Sequence, residues 1–106
     1  MTTKAKPTSG VDDNGLRWED VPYGDTTYRL REITVDESDA AFDAAQNPDK
    51  TFNARLNQRM LLVSSIMSPA TALDDIGKWG GLKYLVLLRA FDRLNTLPPA
   101  DAEGNA

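Results

Sequence analysis

Hydrophobic and polar residues alternate along one short stretch in the first third of the chain. In residues 27–33, with sequence TYRLREI, apolar and charged side chains follow one another with a period of two. This pattern predicts a β-strand with one solvated face. Leu16 and Trp18 alternate in the same way before the turn-rich sequence VPYGDT. We therefore expect a hairpin between residues 16–22 and 27–33, in which Pro22 confines the first strand to an edge.

From Thr34 onward the spacing becomes helical. Thr34 and Glu37 match a capping box, and Asn47-Pro48 is a typical helix stop, so we predict a first helix over about residues 35–46. Acidic residues fill its first turn, where the helix dipole favours negative charge. This helix needs a packing partner, because its apolar face consists only of Val35, Ala41, Phe42 and Ala45.

Two further amphipathic helices are predicted downstream. The second helix spans about residues 52–67, capped by Thr51 and closed by Pro69, with an apolar stripe of Phe52, Leu56, Met60, Val63 and Met67 widened by Leu62 and Ile66. A short capped turn follows at Thr71–Asp75. The last helix spans about residues 82–95, with a main stripe of Tyr84, Leu87, Leu88, Phe91 and Leu94.

The two ends of the chain have few large apolar residues. Residues 1–15 and 98–106 are predicted to be disordered tails, because neither buries enough surface to offset its ordering entropy. Residues 16–97 then form a single domain. We expect an α+β, α-dominant fold in which a small N-terminal β-hairpin is followed by a three- to four-helix bundle.

The amino-acid composition excludes several kinds of catalytic and metal-binding site. The 106 residues include no Cys and no His, which excludes disulfides, thiolate metal sites, Ser-His-Asp triads and ordinary zinc sites. We therefore expect neither an enzyme nor a bound cofactor or metal. A formal net charge of −4 argues against a nucleic-acid partner. The longest apolar stretch, Tyr84–Leu88, is far below the roughly 20 residues of a membrane span.

Charge is unevenly distributed along the chain. Residues 1–49 hold eleven of the sixteen acidic residues, and residues 50–97 hold seven of the twelve basic ones. The simplest interpretation is that the acidic first helix packs antiparallel to the second helix, with Arg55 and Arg59 facing its charged edge. Arg59 projects from within the apolar stripe, so we expect it to snorkel or to pair with the first helix. Alternatively, the basic edge attracts a charged partner.

The segment Ile76–Gly80 matches the I-G-x-x-G signature of KH domains, in which Lys78 would meet a nucleotide phosphate. The preceding Asp74 and Asp75 have the wrong charge for this role, and no strand is predicted after the last helix. We favour a helix stop and restart through flexible glycines.

More apolar side chains are present than the predicted stripes use. Leu61 lies opposite the stripe of the second helix, and several residues of the last helix lie off its stripe. Surplus apolar residues of this kind often mark an interaction surface, with an aromatic anchor. The predicted partner-binding residues are Leu61, Trp79, Leu82, Leu85 and Val86, with Arg55 and Arg59 beside them. They would also support self-association. Equally, Trp79 and its neighbours would simply cover the hairpin.

The overall layout resembles the tail assembly chaperones of long-tailed bacteriophages. The likeness covers about residues 28–97 and consists of the strand Tyr28–Val35 running into an acidic helix, the Arg/Leu-rich helix Arg55–Met67, the turn Thr71–Ile76, and a Leu-rich helix ending in Arg93–Leu97. The chain departs from many relatives before the third helix, where Ser68-Pro69-Ala70 replaces a polar D-x-x-G-x-P insert.

The resemblance implies a non-enzymatic role. Such chaperones coat the tape measure protein and keep it soluble in the host bacterial cytoplasm, while a longer frameshifted product recruits the tail tube protein. They are absent from the mature virion, and the family has no catalytic residues to carry over. Two alternatives remain open: a small regulatory protein-binding module, such as an antitoxin-like protein or a host-takeover adaptor, and a KH-like RNA binder or enzyme.

Overall fold

A computed structural model describes residues 8–97. It contains four strands and four helices, which follow one another as β1 (Ser9–Val11), β2 (Arg17–Tyr23), β3 (Thr26–Arg31), α1 (Val35–Ala44), α2 (Ala54–Ser65), β4 (Ile66–Ser68), α3 (Leu73–Gly77) and α4 (Gly81–Asn95). The strands form one antiparallel sheet in the order β1-β2-β3-β4.

The predicted hairpin is present as β2 and β3, with Val21 opposite Tyr28. The rest of the predicted fold class, a small hairpin followed by a helix bundle, is wrong. Strand β1 pairs with β2, and β4 pairs with β3 through Leu30 and Ile66, so the sheet has four strands. The physical reason is that a two-stranded hairpin leaves unpaired backbone groups on both edges, which short flanking segments satisfy.

Strand β1 falls within residues that we expected to be an N-terminal tail. Residues 1–7 and 98–106, which make up the remainder of the two predicted tails, lie outside the described part of the chain. Pro22 is tolerated in β2 because β1 pairs only with Arg17–Glu19, so no neighbouring strand requires the missing N–H of Pro22.

One face of the sheet packs against α4, and this contact forms the core. The buried sheet residues are Val21, Tyr28 and Leu30, and the buried α4 residues are Leu87, Ala90, Phe91 and Leu94. The predicted stripe of α4 is confirmed in its main part. Leu62 of α2 and Ile76 of α3 complete this core cluster, whose burial stabilises the domain. The α4–sheet contact also explains why the helices form no separate bundle.

Helix α2 differs from its prediction at both ends and in its buried face. Its N-cap is Asn53 rather than Thr51, because the Asn53 side chain accepts a hydrogen bond from the Leu56 N–H at 3.1 Å. It ends at Ser65, and the chain continues as β4. Its buried residues are Leu62 and Ser65, whereas Phe52 and Met67, which we placed on the apolar stripe, are exposed.

Helix α1 lies against α2 and is largely exposed. The predicted capping box between Thr34 and Glu37 is confirmed. Glu37 also accepts two hydrogen bonds from Arg31 of β3, at 2.8 and 2.7 Å. The predicted pairing of acidic side chains on α1 with basic side chains on α2 is not found. Within residues 8–97, no ion pair joins the two helices, and Arg59 has no ion-pair partner.

Candidate functional site

The surface of α4 that points away from the sheet carries exposed leucines. Leu82 and Leu85 lie one helical turn apart and are 66% and 41% exposed, and exposed Arg89 follows one turn later. We call these three residues the α4 outer face. A helix that already buries four residues on its other side has no intramolecular need for these leucines. Exposed apolar residues so placed are available to a partner.

Two other predicted partner-binding residues are less accessible. Val86 and Leu61 are partly buried and pack against the core cluster. We expected Leu61 on the far side of α2 from the core, and this expectation is wrong because the buried side of α2 centres on Leu62 and Ser65. Leu61 and Val86 therefore contribute mainly to packing inside the protein and offer little apolar surface to a partner.

Trp79 lies in the connection between α3 and α4 and packs on the sheet. Its ring meets Tyr28 edge-to-face, with centroids 5.7 Å apart and an interplanar angle of 68°. The Lys83 ammonium lies 4.8 Å from the Tyr28 centroid and 4.6 Å from that of Trp79, which is a cation–π geometry. Trp79 thus covers the hairpin, as one of the two interpretations of its position predicted.

Arg55 and Arg59 line a groove of about 480 Å³ between α2 and α3. We call it the basic groove; its lining residues are Asn53, Arg55, Leu56, Arg59, Leu73, Asp74 and Gly77. Both arginines are exposed. Burial raises the pKa of the nearby Tyr84 hydroxyl, and the positive charge of Arg59 opposes that shift. The same hydroxyl donates a hydrogen bond to Gln58 at 2.9 Å.

The structure also shows a surface cluster that the sequence analysis missed. On the sheet face opposite the core, the Arg29 guanidinium lies 3.9 Å from the Trp18 ring centroid and donates two hydrogen bonds to Asp20, at 2.7 and 2.9 Å. These hydrogen bonds hold the pKa of the Asp20 carboxyl below its usual range. Alternation placed Arg29 on the solvated face, but only the strand register brings Trp18 and Asp20 beside it.

Several titratable groups of residues 8–97 form ion pairs or cap helices. Three carboxyl groups have a lowered pKa, each chiefly because of hydrogen bonds from neighbouring side chains: Asp20, Glu37 and Asp49. Over the same described range, no group of three or more acidic residues is arranged to hold a metal ion. None of the described helices is long and apolar enough to cross a bilayer.

The glycine-rich segment joins two helices, as a KH-type loop would. Helix α3 ends at Gly77, α4 begins at Gly81, and Lys78 between them is exposed. However, α3 has only five residues, and within residues 8–97 no strand follows α4. This geometry agrees with the interpretation of a helix stop and restart.

Comparisons with known protein families, with curated proteins and with solved structures found no match to this chain.

Proposed function

We propose that this protein is a tail assembly chaperone of a long-tailed bacteriophage, which binds the tape measure protein and keeps it soluble during tail assembly. The observation that supports the proposal is the pair Leu82 and Leu85, exposed one turn apart on a helix whose opposite face is already buried. The resemblance of residues 28–97 to that family points to the same role.

The α4 outer face suits a helical client. Tape measure proteins are long helices, and apolar side chains spaced one turn apart can pack against the apolar face of such a helix. The net negative charge of the chain would keep a coated client dispersed, because like-charged complexes repel one another. In this proposal the protein acts in the host bacterial cytoplasm, a longer product recruits the tail tube protein, and neither remains in the mature virion.

The predicted partner-binding residues divide into three roles under this proposal. Leu82 and Leu85 contact the client directly. Leu61, Trp79 and Val86 hold α4 against α2 and the sheet, because each packs against the core. Arg55 and Arg59 lie on a separate surface, the basic groove, and add charge complementarity there.

Co-expression with the tape measure protein of the same phage tests the proposal. We expect wild-type protein to keep the client in the soluble fraction and the double variant Leu82→Glu/Leu85→Glu to leave it insoluble. Val35→Glu is the matched control, because Val35 is even more exposed, at 76%, but lies on α1. Circular dichroism and thermal unfolding establish that each variant is folded.

Two outcomes would contradict the proposal. If wild-type protein does not increase client solubility, the assigned function is wrong. If the folded double variant solubilises the client as well as wild type and Val35→Glu do, the α4 outer face is not the binding surface.

A further inference from the structure

We infer that the basic groove binds an acidic peptide segment with interspersed apolar residues. Arg55 and Arg59 would hold its carboxylates, and Leu56 and Leu73 would contact its apolar side chains. This inference adds a second binding surface to the proposed function. It rests on the proposed function only in assigning the bound segment to the client. Binding of such a peptide is measurable without that client.

The first argument is that neither Arg55 nor Arg59 forms an ion pair within the described chain. Within residues 8–97, four arginines form ion pairs, namely Arg17, Arg29, Arg31 and Arg93. Arg55, Arg59 and Arg89 form none in that range. Of these three, Arg55 and Arg59 stand one helical turn apart on the same side of α2. Two adjacent guanidinium groups with this spacing can bind one carboxylate each, or both can bind a single carboxylate.

The second argument is that Arg55 occupies an unfavourable position for the helix itself. It lies in the first turn of α2, where the helix dipole disfavours positive charge, and that turn contains no acidic residue. By contrast, the first turns of α1 and α3 carry two acidic residues each. Helix α4 resembles α2 in lacking an acidic residue in its first turn. A local departure from the dipole rule is expected where a residue serves binding. A bound anion would relieve this conflict.

The third argument is the shape and chemistry of the groove walls. Leu56 and Leu73 are half-buried, so the groove offers apolar surface beside its charges. Gly77 presents only backbone to the groove, and a Cβ at this position would lie 3.9 Å from the Arg59 guanidinium. A volume of about 480 Å³ accommodates a few side chains of a peptide, which is the scale of a linear binding motif.

Asp74 narrows the ligand class further. It lies in α3 and lines the groove, to which it contributes a negative charge. A phosphate or a polynucleotide would bring a higher density of negative charge against this carboxylate. A peptide whose carboxylates are separated by apolar residues can pair with the arginines and place an apolar residue beside Asp74. The groove therefore favours an acidic peptide over nucleic acid.

Fluorescence anisotropy with a labelled peptide of alternating Glu and Leu residues tests the inference on the full-length protein. We expect binding that weakens at high salt, and at least a roughly tenfold loss of affinity in Arg55→Glu/Arg59→Glu. The same loss is expected when each Glu of the peptide is replaced by Gln. Lys50→Glu is the control, because Lys50 is exposed and lies outside both the groove and the α4 outer face.

The outcomes separate this inference from the proposed function. The variant Leu82→Glu/Leu85→Glu should bind the acidic peptide as wild type does, even where it fails to solubilise the client. Equal loss in Lys50→Glu, or equal binding of the Gln peptide, would overturn the inference. Competition by inorganic phosphate at concentrations comparable to the peptide would also overturn it. Binding that appears only in Asp101→Asn/Glu103→Gln would overturn the assignment of the segment to the client, because residues of the chain itself would then be the occupant.

Discussion

The Ser65 hydroxyl donates a 2.6 Å hydrogen bond to the main-chain oxygen of Arg31 and is completely buried. Ser65 is the last residue of α2, and Ile66 begins β4. The bond therefore links the end of α2 to the end of β3 at the point where the helix becomes the edge strand of the sheet. Among residues 8–97, Ser65 is the only polar or charged residue that is buried as a whole.

We expect Ser65→Ala to lower the free energy of unfolding by about 1–2 kcal/mol, because a buried carbonyl loses a hydrogen-bond donor. Urea denaturation followed by circular dichroism measures the change. Ser64→Ala is the control, since Ser64 is adjacent but only partly buried. A loss of the same size in both variants would show that the Ser65 bond is not the cause.

This relationship also explains why α2 and β4 were predicted as one helix. The apolar residues Phe52–Met67 recur at helical spacing, so periodicity alone extends the helix to Met67. The decisive interactions are non-local: β4 pairs with the free edge of β3, and a buried serine replaces an apolar residue on the core side of α2. Neither interaction has a local signature.

Prediction succeeded where local chemistry and tertiary packing agree. The capping box at Thr34, the β2–β3 hairpin and the α4 stripe each have a strong local pattern and are confirmed. Strand β1 could not be predicted, because Ser9–Val11 is short and acquires its conformation by pairing with β2.

The candidate surface was predictable only in part, for a related reason. Leu82 and Leu85 lie off a clear helical stripe, and the structure leaves both exposed. The position of Trp79 depended on which residues of the sheet lie beneath it, and the hairpin register places Tyr28 there. The basic groove forms only when α3 packs beside α2, an arrangement that charge counting along the chain does not reveal.

The two faces of α4 should respond differently to truncation. Leu87→Ala should cost about 2–5 kcal/mol of stability, because Leu87 is fully buried and its removal leaves a cavity. Leu82→Ala should change stability by less than about 0.5 kcal/mol, since Leu82 is mostly exposed. Denaturant unfolding of both variants checks the assignment. A large cost at Leu82 would mean that the outer face is packed in the folded protein.

The Arg31–Glu37 pair predicts a specific pH dependence. Hydrogen bonds from Arg31 and the cap at Thr34 lower the pKa of Glu37 from 4.5 to about 2. Because the folded-state pKa lies below that of the unfolded chain, the stabilisation is present above pH 4.5 and is lost as pH falls towards 2. Allowing for partial solvent exposure, we expect a contribution of about 1–2 kcal/mol at neutral pH.

Unfolding free energies of wild type and Glu37→Gln, measured across this pH range, test the prediction. The two proteins should differ by the full amount at pH 7 and converge near pH 2. Asp36→Asn is the control, because Asp36 lies in the same helical turn and forms no ion pair within residues 8–97. A difference between wild type and Glu37→Gln that persists unchanged at low pH would point to packing rather than ionisation.

Asn53, the N-cap of α2, and Asn57 within the helix should have different effects on stability when replaced by Ala. The Oδ1 atom of Asn57 is buried and has no hydrogen-bond partner in the described chain, so Asn57→Ala should leave stability unchanged or raise it by up to about 1 kcal/mol. Asn53 caps the helix, so Asn53→Ala should lower stability by about 0.5–2 kcal/mol. Thermal unfolding distinguishes the two. Destabilisation by Asn57→Ala comparable to that by Asn53→Ala would contradict the inference that this amide is poorly satisfied.

The α4 outer face also predicts self-association in the absence of a client. Leu82 and Leu85 would be shielded if two copies packed these faces together, and a client helix would then displace one copy. Light scattering across a concentration series should show a mass that rises above that of the monomer for wild type. Leu82→Glu/Leu85→Glu should remain monomeric, because facing carboxylates would repel each other, whereas Val35→Glu should behave as wild type. A wild-type protein that stays monomeric at high concentration would contradict the prediction of self-association.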